Sequence, residues 1–196
     1  TLRRFKQIRG AFHPENKDEN ETDKCYQLRH AINTFNAATK ASFDVGGQLT
    51  FDEGGVACRS RLCPVRQYNS AKPQKFRVDF FILSDAKCYC ILHLDVYQGR
   101  NASNVGVDRS LTCLGTTQKA VMNAVLSLDL HKDTNPHARH IAMDNRYQCS
   151  ELALLLRERA GIYSTGTVRA NCKGWDKGVM NLVKKKTTKR GTYNLA

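Results

Sequence analysis

Two apolar segments separated by a short polar stretch constrain the fold of this chain most strongly. Residues 76–83 (FRVDFFIL) and 88–97 (CYCILHLDVY) are rich in aromatic and β-branched side chains, which are typical of β-strands. Residues 84–87 (SDAK), which separate them, have the length and polarity of a hairpin turn. The sequence therefore predicts an antiparallel strand pair near the middle of the chain.

Helical and strand patterns alternate on both sides of this hairpin. Before it, Asp23 is an N-cap candidate for a helix over 24–40, and a strand over 48–51 leads into a Gly-Gly turn. After it, Ser150 is an N-cap candidate for a helix over 150–159. This order predicts an α/β (α+β) fold with a mixed sheet, because the late strands reach the sheet only by crossover. The other predicted elements are helices over 1–12 and 112–128, a basic loop over 54–75, and strands over 138–143 and 162–168.

Positive charge is concentrated in three segments. The 196 residues include 31 Lys and Arg against 18 Asp and Glu, a formal net charge of +13. Segments 1–10, 54–77 and 169–190 hold 18 of these cations and a single acid. Such a concentration favours a polyanionic partner, nucleic acid above all, because each phosphate contact releases a counterion. Solvated loops that maintain solubility are the alternative explanation.

Other features of the composition argue against several classes of protein. No run of 18 apolar residues is present, so we expect no membrane-spanning helix and no membrane partner. The chain opens with Thr1 and has no apolar signal segment, which indicates a fragment that is not secreted. The eight cysteines lack the paired spacing of a zinc site, so we expect mostly buried thiols in a reducing compartment.

Two carboxylates follow predicted strands. Asp52 comes after the strand over 48–51, and Asp144 comes after the strand over 138–143. If the crossover sets these strands side by side, both acids lie at one edge of the sheet, where they could hold the Mg²⁺ ions of phosphoryl-transfer chemistry. A turn residue or a helix cap is the simpler explanation of either aspartate.

Short blocks of distinctive sequence lie along the chain in a fixed order. LTFDEGG at 49–55 contains Asp52, and IAMDNRY at 141–147 contains Asp144. The other blocks are RSR at 59–61, RQY at 66–68, KPQKF at 72–76, FFILSD at 80–85, DVYQG at 95–99, GIY at 161–163 and GTVRANCKG at 166–174. Together they resemble the piggyBac-type transposases and the piggyBac transposable element-derived proteins over nearly the whole chain.

This resemblance implies an RNase H-like (retroviral integrase-like) core and a DDE transposase domain. It implies that Asp52 and Asp144 are catalytic, metal-binding acids, that Mg²⁺ (or Mn²⁺) is the cofactor, and that the domain cleaves and transfers strands of double-stranded DNA at transposon ends. The family's third Asp has no assignable counterpart, because the chain stops where the family's inserted domain begins. We therefore expect a core truncated before its final helix, incomplete and inactive as this chain.

The resemblance also implies an organisation and a location. We expect a helical lead-in segment over 1–47, the first part of the catalytic core over 48–168 and a basic segment over 169–196. We expect a nuclear protein that forms a homodimer; the run KKKTTKR at 184–190 is either an import signal or an exposed linker. The cations expected to contact DNA phosphates are Arg59, Arg61, Arg66, Lys72, Lys75, Arg169 and Lys173.

Two other functions stay open at this point. A domesticated, non-catalytic derivative would bind DNA or a protein partner and would have no need of a third acid. An RNase H-like nuclease unrelated to transposition would use the same two acids on a different substrate.

Overall fold

The computed structural model describes residues 1–11, 23–99, 111, 113–130 and 139–168. The chain divides into two compact units. Unit 1 comprises Thr1–Gly46 and Asp52–Val107, and unit 2 comprises Gly47–Phe51 and Asp108–Ala196. The strand β1 (Gln48–Ala57) contributes its first four residues to unit 2 and the remainder to unit 1.

Unit 1 is built on the predicted hairpin. Its described elements are α1 (Leu2–Ala11), α2 (Tyr26–Ser42), β2 (Gln67–Tyr68), β3 (Phe76–Asp85) and β4 (Ile91–Val96). β3 pairs antiparallel with both β2 and β4, so the predicted antiparallel hairpin is confirmed. β3 runs two residues further than predicted, because the Asp85 carboxylate accepts hydrogen bonds from Lys87 N (2.7 Å) and Cys88 N (3.0 Å) and so builds the turn beyond the strand.

Helix α2 packs against β4 and completes the hydrogen bonding of that strand. The Asn36 amide nitrogen donates to Leu94 O, and Leu94 N donates to the Asn36 amide oxygen, each at 2.9 Å. A second link joins the start of α2 to the end of β4: the Arg29 guanidinium bridges Asp23 (2.7 Å) and Asp95 (2.9 Å). The helix is thereby fixed on the sheet by polar contacts in addition to its apolar stripe.

Asp23 has a different role from the predicted N-cap. The helix begins at Tyr26 with Cys25 as its N-cap residue, and Asp23 is buried, accepting hydrogen bonds from Arg29 and from Gln98 Nε2 (2.7 Å). Burial by itself raises the pKa of Asp23, but the hydrogen bonds from Arg29 and the backbone outweigh it and the pKa is lowered. The prediction was wrong because local sequence does not reveal a partner 75 residues away.

Unit 2 contains the parallel part of the sheet. β1 pairs with β5 (Arg139–Met143), and β5 pairs with β6 (Ile162–Gly166), both in parallel. Two helices, α3 (Thr116–Ser127) and α4 (Ser150–Ala160), contact each other, and α4 also contacts β6. The core of the unit consists of strand and helix side chains that are almost fully buried: Leu49, Phe51, Ile141, Val121, Val125, Leu152, Leu156 and Ile162.

The hydrogen-bonded strand order is β2-β3-β1-β5-β6, with β4 also paired to β3. The predicted mixed sheet is therefore confirmed, with antiparallel pairs early in the chain and parallel pairs later. The described helices include none with the length and hydrophobicity needed to cross a membrane.

Two local predictions in these units were wrong. The strand that we expected to stop before Gly54 and Gly55 continues to Ala57, because these glycines let the side chains of Ile82 and Arg77 come close to the strand's backbone. The predicted buried thiols are also not general, since Cys25 is the one buried cysteine among the seven in the described ranges. Its burial raises the pKa of the Cys25 thiol to about 12.

Candidate active site

The register of the parallel strands pairs the two residues that precede the predicted aspartates. Phe51 on β1 and Met143 on β5 are direct partners within unit 2. The next residue after Phe51 is Asp52, and the next residue after Met143 is Asp144. The two predicted aspartates thus each directly follow one member of a paired position in the parallel strands.

An aromatic contact holds this end of the two strands together. The rings of Phe51 and Tyr147 meet edge to face, with centroids 4.9 Å apart and an interplanar angle of 77°. Both side chains are almost completely buried. Because Tyr147 N and Gln148 N donate to Asp144 O at 3.0 and 3.2 Å, the turn after β5 is tied to the same contact.

The Asp144 carboxylate is exposed and is oriented by two donors. Its Oδ1 atom accepts hydrogen bonds from Asn145 N at 2.6 Å and from Thr167 Oγ1 at 3.1 Å. Thr167 follows directly after β6, so the residue after the third parallel strand orients the acid that follows the second. The sequence argument named the block that contains Thr167 but not this role, since no local pattern joins residues 23 positions apart.

Close packing of β6 against β5 supports this arrangement. Gly166 is the partner of Met143, and a Cβ atom at position 166 would collide with the Met143 carbonyl oxygen. Beside it, Gln148 is buried and donates through Nε2 to Ser164 Oγ at 3.1 Å. A glycine is therefore required where the backbone that carries Asp144 approaches the backbone that carries Thr167.

Asp52 lies within β1, because the strand continues beyond it. Its side chain is exposed, and its Oδ1 atom accepts a hydrogen bond from Glu53 N at 2.8 Å. Carboxylate oxygens that solvent can reach are the ligands that Mg²⁺ and Mn²⁺ prefer, so the chemistry of both acids fits a hard divalent cation. In the part of the chain that the structure describes, no group of three or more His, Cys, Asp or Glu side chains is arranged to hold a metal.

Two of the residues that follow Asp144 make contacts that hold the backbone there in place. The backbone oxygen of Arg146 accepts a hydrogen bond from Gln118 Nε2 (3.2 Å). Cys149 is the N-cap of α4: its Sγ atom accepts from Leu152 N at 3.4 Å, so the predicted N-cap Ser150 is instead the first helical residue. The first contact is made by the backbone, and the second depends on the cysteine side chain.

The cations predicted to contact DNA fall into two groups. Arg59, Arg61, Lys72 and Lys75 are exposed in unit 1, and Arg66 is half-buried with its guanidinium 4.8 Å from the centre of the Phe76 ring. The segment that carries them is partly a strand, β2, and not only the predicted loop. Arg169, Lys173 and the run at 184–190 lie outside the described residues.

Comparison with known proteins agrees with this geometry. The family model described as Transposase IS4 matches residues 1–194, so the chain belongs to this family of DDE transposases. Among solved structures, the fold is similar to that of the piggyBac transposase in a cryo-EM structure of its synaptic complex with hairpin DNA, at a TM-score of 0.72 and 22% identity. That match covers 97% of this chain and 36% of the piggyBac transposase chain, so this chain spans about a third of that protein.

A second comparison is weaker. The catalytic domain of the Mos1 mariner transposase aligns with 82% of this chain at 11% identity, and the match covers 67% of the Mos1 chain. Its TM-score is only 0.35. None of the curated proteins matches the sequence. The DDE transposase domain predicted from the sequence is confirmed by the family match, and the predicted RNase H-like fold is confirmed by the similarity to the piggyBac transposase fold.

Proposed function

We propose that this domain serves metal-dependent DNA strand cleavage and transfer, with Asp52 and Asp144 as ligands of Mg²⁺ or Mn²⁺. The observation that carries the proposal is the pairing of Phe51 with Met143, each followed by an exposed aspartate. When bound, divalent metal ions in this chemistry activate the attacking oxygen and stabilise the leaving oxygen. The chain's own contribution is to hold the carboxylates, with Thr167 orienting that of Asp144.

The proposed substrate is double-stranded DNA at transposon ends. Cations of unit 1 support this proposal. The segment from 54 to 77 has six cations and no acid, and all except the buried Arg77, which pairs with Asp79, are exposed or half-buried. Phosphate contacts by such residues provide affinity without sequence preference. We assign Arg59, Arg61, Arg66, Lys72 and Lys75 to the phosphate backbone, and propose the same role for Arg169 and Lys173. Because the proposed substrate is DNA, we propose a nuclear location for the protein. Because a transposon has two ends, we propose that it acts as a homodimer.

The proposed organisation follows the sequence prediction. The catalytic core extends over 48–168, which is supported by the start of β1 at Gln48 and the end of β6 at Gly166. The lead-in over 1–47 contributes α2, which packs on β4, and residues 169–196 form the basic segment.

Metal-coupled DNA binding tests the proposal without requiring turnover. The affinity of the full chain for a labelled duplex is measured by fluorescence anisotropy in EDTA and in Ca²⁺, with Asp52→Asn and Asp144→Asn as variants. Exposed carboxylates repel phosphates until a cation neutralises them, so Ca²⁺ should raise the affinity of the unmodified chain several-fold. Each variant should bind more tightly than the unmodified chain in EDTA and gain little from Ca²⁺.

The matched control removes an acid elsewhere in the chain. Asp44 is an exposed aspartate of unit 1 that precedes β1. Asp44→Asn removes the same charge but should keep the full response to Ca²⁺. An equal response to Ca²⁺ in the unmodified chain, Asp52→Asn and Asp144→Asn would contradict the proposed metal site.

A non-catalytic DNA-binding derivative is the second candidate. It is supported by the exposed cations Arg59, Arg61, Lys72 and Lys75, which can contact phosphates without a metal ion. This candidate predicts salt-dependent duplex binding that does not respond to Ca²⁺. A derivative that binds only protein predicts no salt-dependent duplex binding at all.

A further inference from the structure

Two aromatic rings are exposed side by side within the basic segment of unit 1. Tyr68 on β2 and Phe76 on β3 are cross-strand partners, and their ring centroids are 5.0 Å apart at an interplanar angle of 50°. Tyr68 is 62% exposed and Phe76 is 47% exposed. Large side chains at this position of an antiparallel ladder stabilise each other, but packing of this pair alone does not cover the outer face of Tyr68.

One cation contacts these rings, and two others lie on the adjacent turn. The Arg66 guanidinium lies 4.8 Å from the centre of the Phe76 ring, so this cation is held in place by the aromatic face. The turn between β2 and β3 is fixed by hydrogen bonds of Asn69, which donates through its backbone N to Lys75 O (2.8 Å) and accepts from Ala71 N through Oδ1 (3.0 Å). Lys72 and Lys75, both exposed, lie on that turn.

Arg66, Tyr68, Lys72, Lys75 and Phe76 together form what we call the basic aromatic surface. Cations alone suit any phosphate backbone, whether the bases are paired or not. An exposed ring adds affinity only where a base is free to stack on it, and a base inside a duplex is already stacked on its neighbours. The combination therefore distinguishes single-stranded DNA from duplex DNA.

We propose that the basic aromatic surface binds an unpaired base of single-stranded DNA. In this arrangement the base stacks on Tyr68, and the backbone phosphates on either side contact the cations of the surface. The inference rests on the proposed function, since cleavage that is staggered between the two strands of a duplex leaves unpaired bases at the ends, but it assigns a separate site with its own ligand. The basic aromatic surface would contact only the face of the base, so we expect it to bind any of the four bases.

Unit 2 offers a matched control for the ring and its cation. Tyr163 on β6 is 47% exposed, and the Arg157 guanidinium lies 5.2 Å from the centre of its ring. Tyr163 lies outside the acid-free segment at 54–77. Replacing Tyr163 therefore removes an exposed ring with an arginine neighbour while leaving the basic aromatic surface unchanged.

The test compares three labelled probes by fluorescence anisotropy with the full chain. They are a thymidine 20-mer, the same strand with abasic sites in place of its bases, and a 20-base-pair duplex. The unmodified chain should bind the thymidine strand about tenfold more tightly than the abasic strand, because only the first can stack. Tyr68→Leu should abolish this difference and leave duplex affinity within about twofold, and Tyr68→Trp should retain the difference.

The results distinguish failure of the stacking site from failure of the proposed DNA-binding function. Tyr163→Leu should behave as the unmodified chain with all three probes. If Tyr68→Leu and Tyr163→Leu bind the thymidine strand equally well, or if Tyr68→Leu weakens duplex and single strand alike, the stacking site is refuted while duplex binding stands. If no probe binds in a salt-dependent way, the proposed DNA-binding function fails with it.

Discussion

Phe51 and Tyr147 meet edge to face at 4.9 Å, and each is close in sequence to one of the two candidate metal ligands. Phe51 immediately precedes Asp52, and Tyr147 closes the turn that starts at Asp144. Since both rings are almost fully buried, the position of the strand ends depends on apolar packing beneath them.

Loss of the Phe51 ring should destabilise the fold strongly. Phe51→Ala leaves a cavity against Tyr147, and we expect the free energy of unfolding to fall by about 3–5 kcal/mol. Leu154 is an apolar residue of unit 2 that is 60% exposed, so Leu154→Ala should change the free energy of unfolding by less than about 0.5 kcal/mol. Urea denaturation followed by circular dichroism measures both. Similar costs for the two variants would contradict the packing described here.

The Asp23–Arg29 contact should make stability depend on pH. The pKa of Asp23 is lowered in the folded state, because the hydrogen bonds from Arg29 and the backbone outweigh burial, so the carboxylate adds stability above its unfolded pKa. That stability is lost as pH falls through the lower, folded pKa. Asp23→Asn should cost about 2 kcal/mol at pH 7, and the difference from the unmodified chain should shrink below about pH 4.

Urea unfolding at a series of pH values measures this difference directly. Comparing the two chains at each pH removes the contribution of other acids, such as Asp85, whose pKa is lowered by a backbone hydrogen bond from Cys88. A stability difference that stays constant from pH 7 to pH 3 would show that Asp23 does not act as a charged partner of Arg29.

Gly166 should not tolerate a side chain. A methyl group there would press on the carbonyl oxygen of Met143, so Gly166→Ala should cost about 1–3 kcal/mol. Gly47, in the same unit, has open space where its Cβ would be, and Gly47→Ala should be accommodated with little loss. Thermal unfolding of the two variants provides the comparison. If Gly166→Ala unfolds at the same temperature as Gly47→Ala, the proposed close approach of β5 and β6 is wrong.

Thr167 should act on metal affinity through Asp144. Thr167→Val removes the hydroxyl that donates to Asp144 Oδ1 while keeping the shape of the side chain, and we expect Mn²⁺ to bind about tenfold more weakly. Thr167→Ser restores the donor and should restore affinity. Isothermal titration calorimetry with Mn²⁺ measures each constant. Equal weakening by Val and Ser would assign the effect to packing and not to the hydrogen bond.

The sequence predicts which helices and strands exist better than it predicts where they begin and end. Strand periodicity located the hairpin and the strand before Asp144, because these segments are dominated by local patterns of apolar side chains. It failed at Gly54 and Gly55, where glycines that normally indicate a turn allow close approach within a strand. It also failed at Cys149, because a thiol acceptor is not among the usual N-cap side chains.

The candidate site was predictable only in part. Asp52 and Asp144 could be found because each follows a run of apolar residues and lies in a block that resembles a known family. Thr167 could not, because its contact with Asp144 depends on the register of β5 and β6, which is a property of the folded sheet. The exposed pair of Tyr68 and Phe76 is not predictable for the same reason, since the sequence predicts a loop where β2 lies.

A shared metal site at Asp52 and Asp144 is the central claim, and Mn²⁺ binding followed by electron paramagnetic resonance tests it most directly. The titration compares the unmodified chain with Asp52→Asn, Asp144→Asn and the double variant. If both acids bind the same metal ion, each single replacement should weaken Mn²⁺ binding by about tenfold or more. The fold-loss of affinity in the double variant should then be smaller than the product of the two single fold-losses. Unchanged affinity in either single variant, or effects that multiply as for two independent sites, would contradict the shared site.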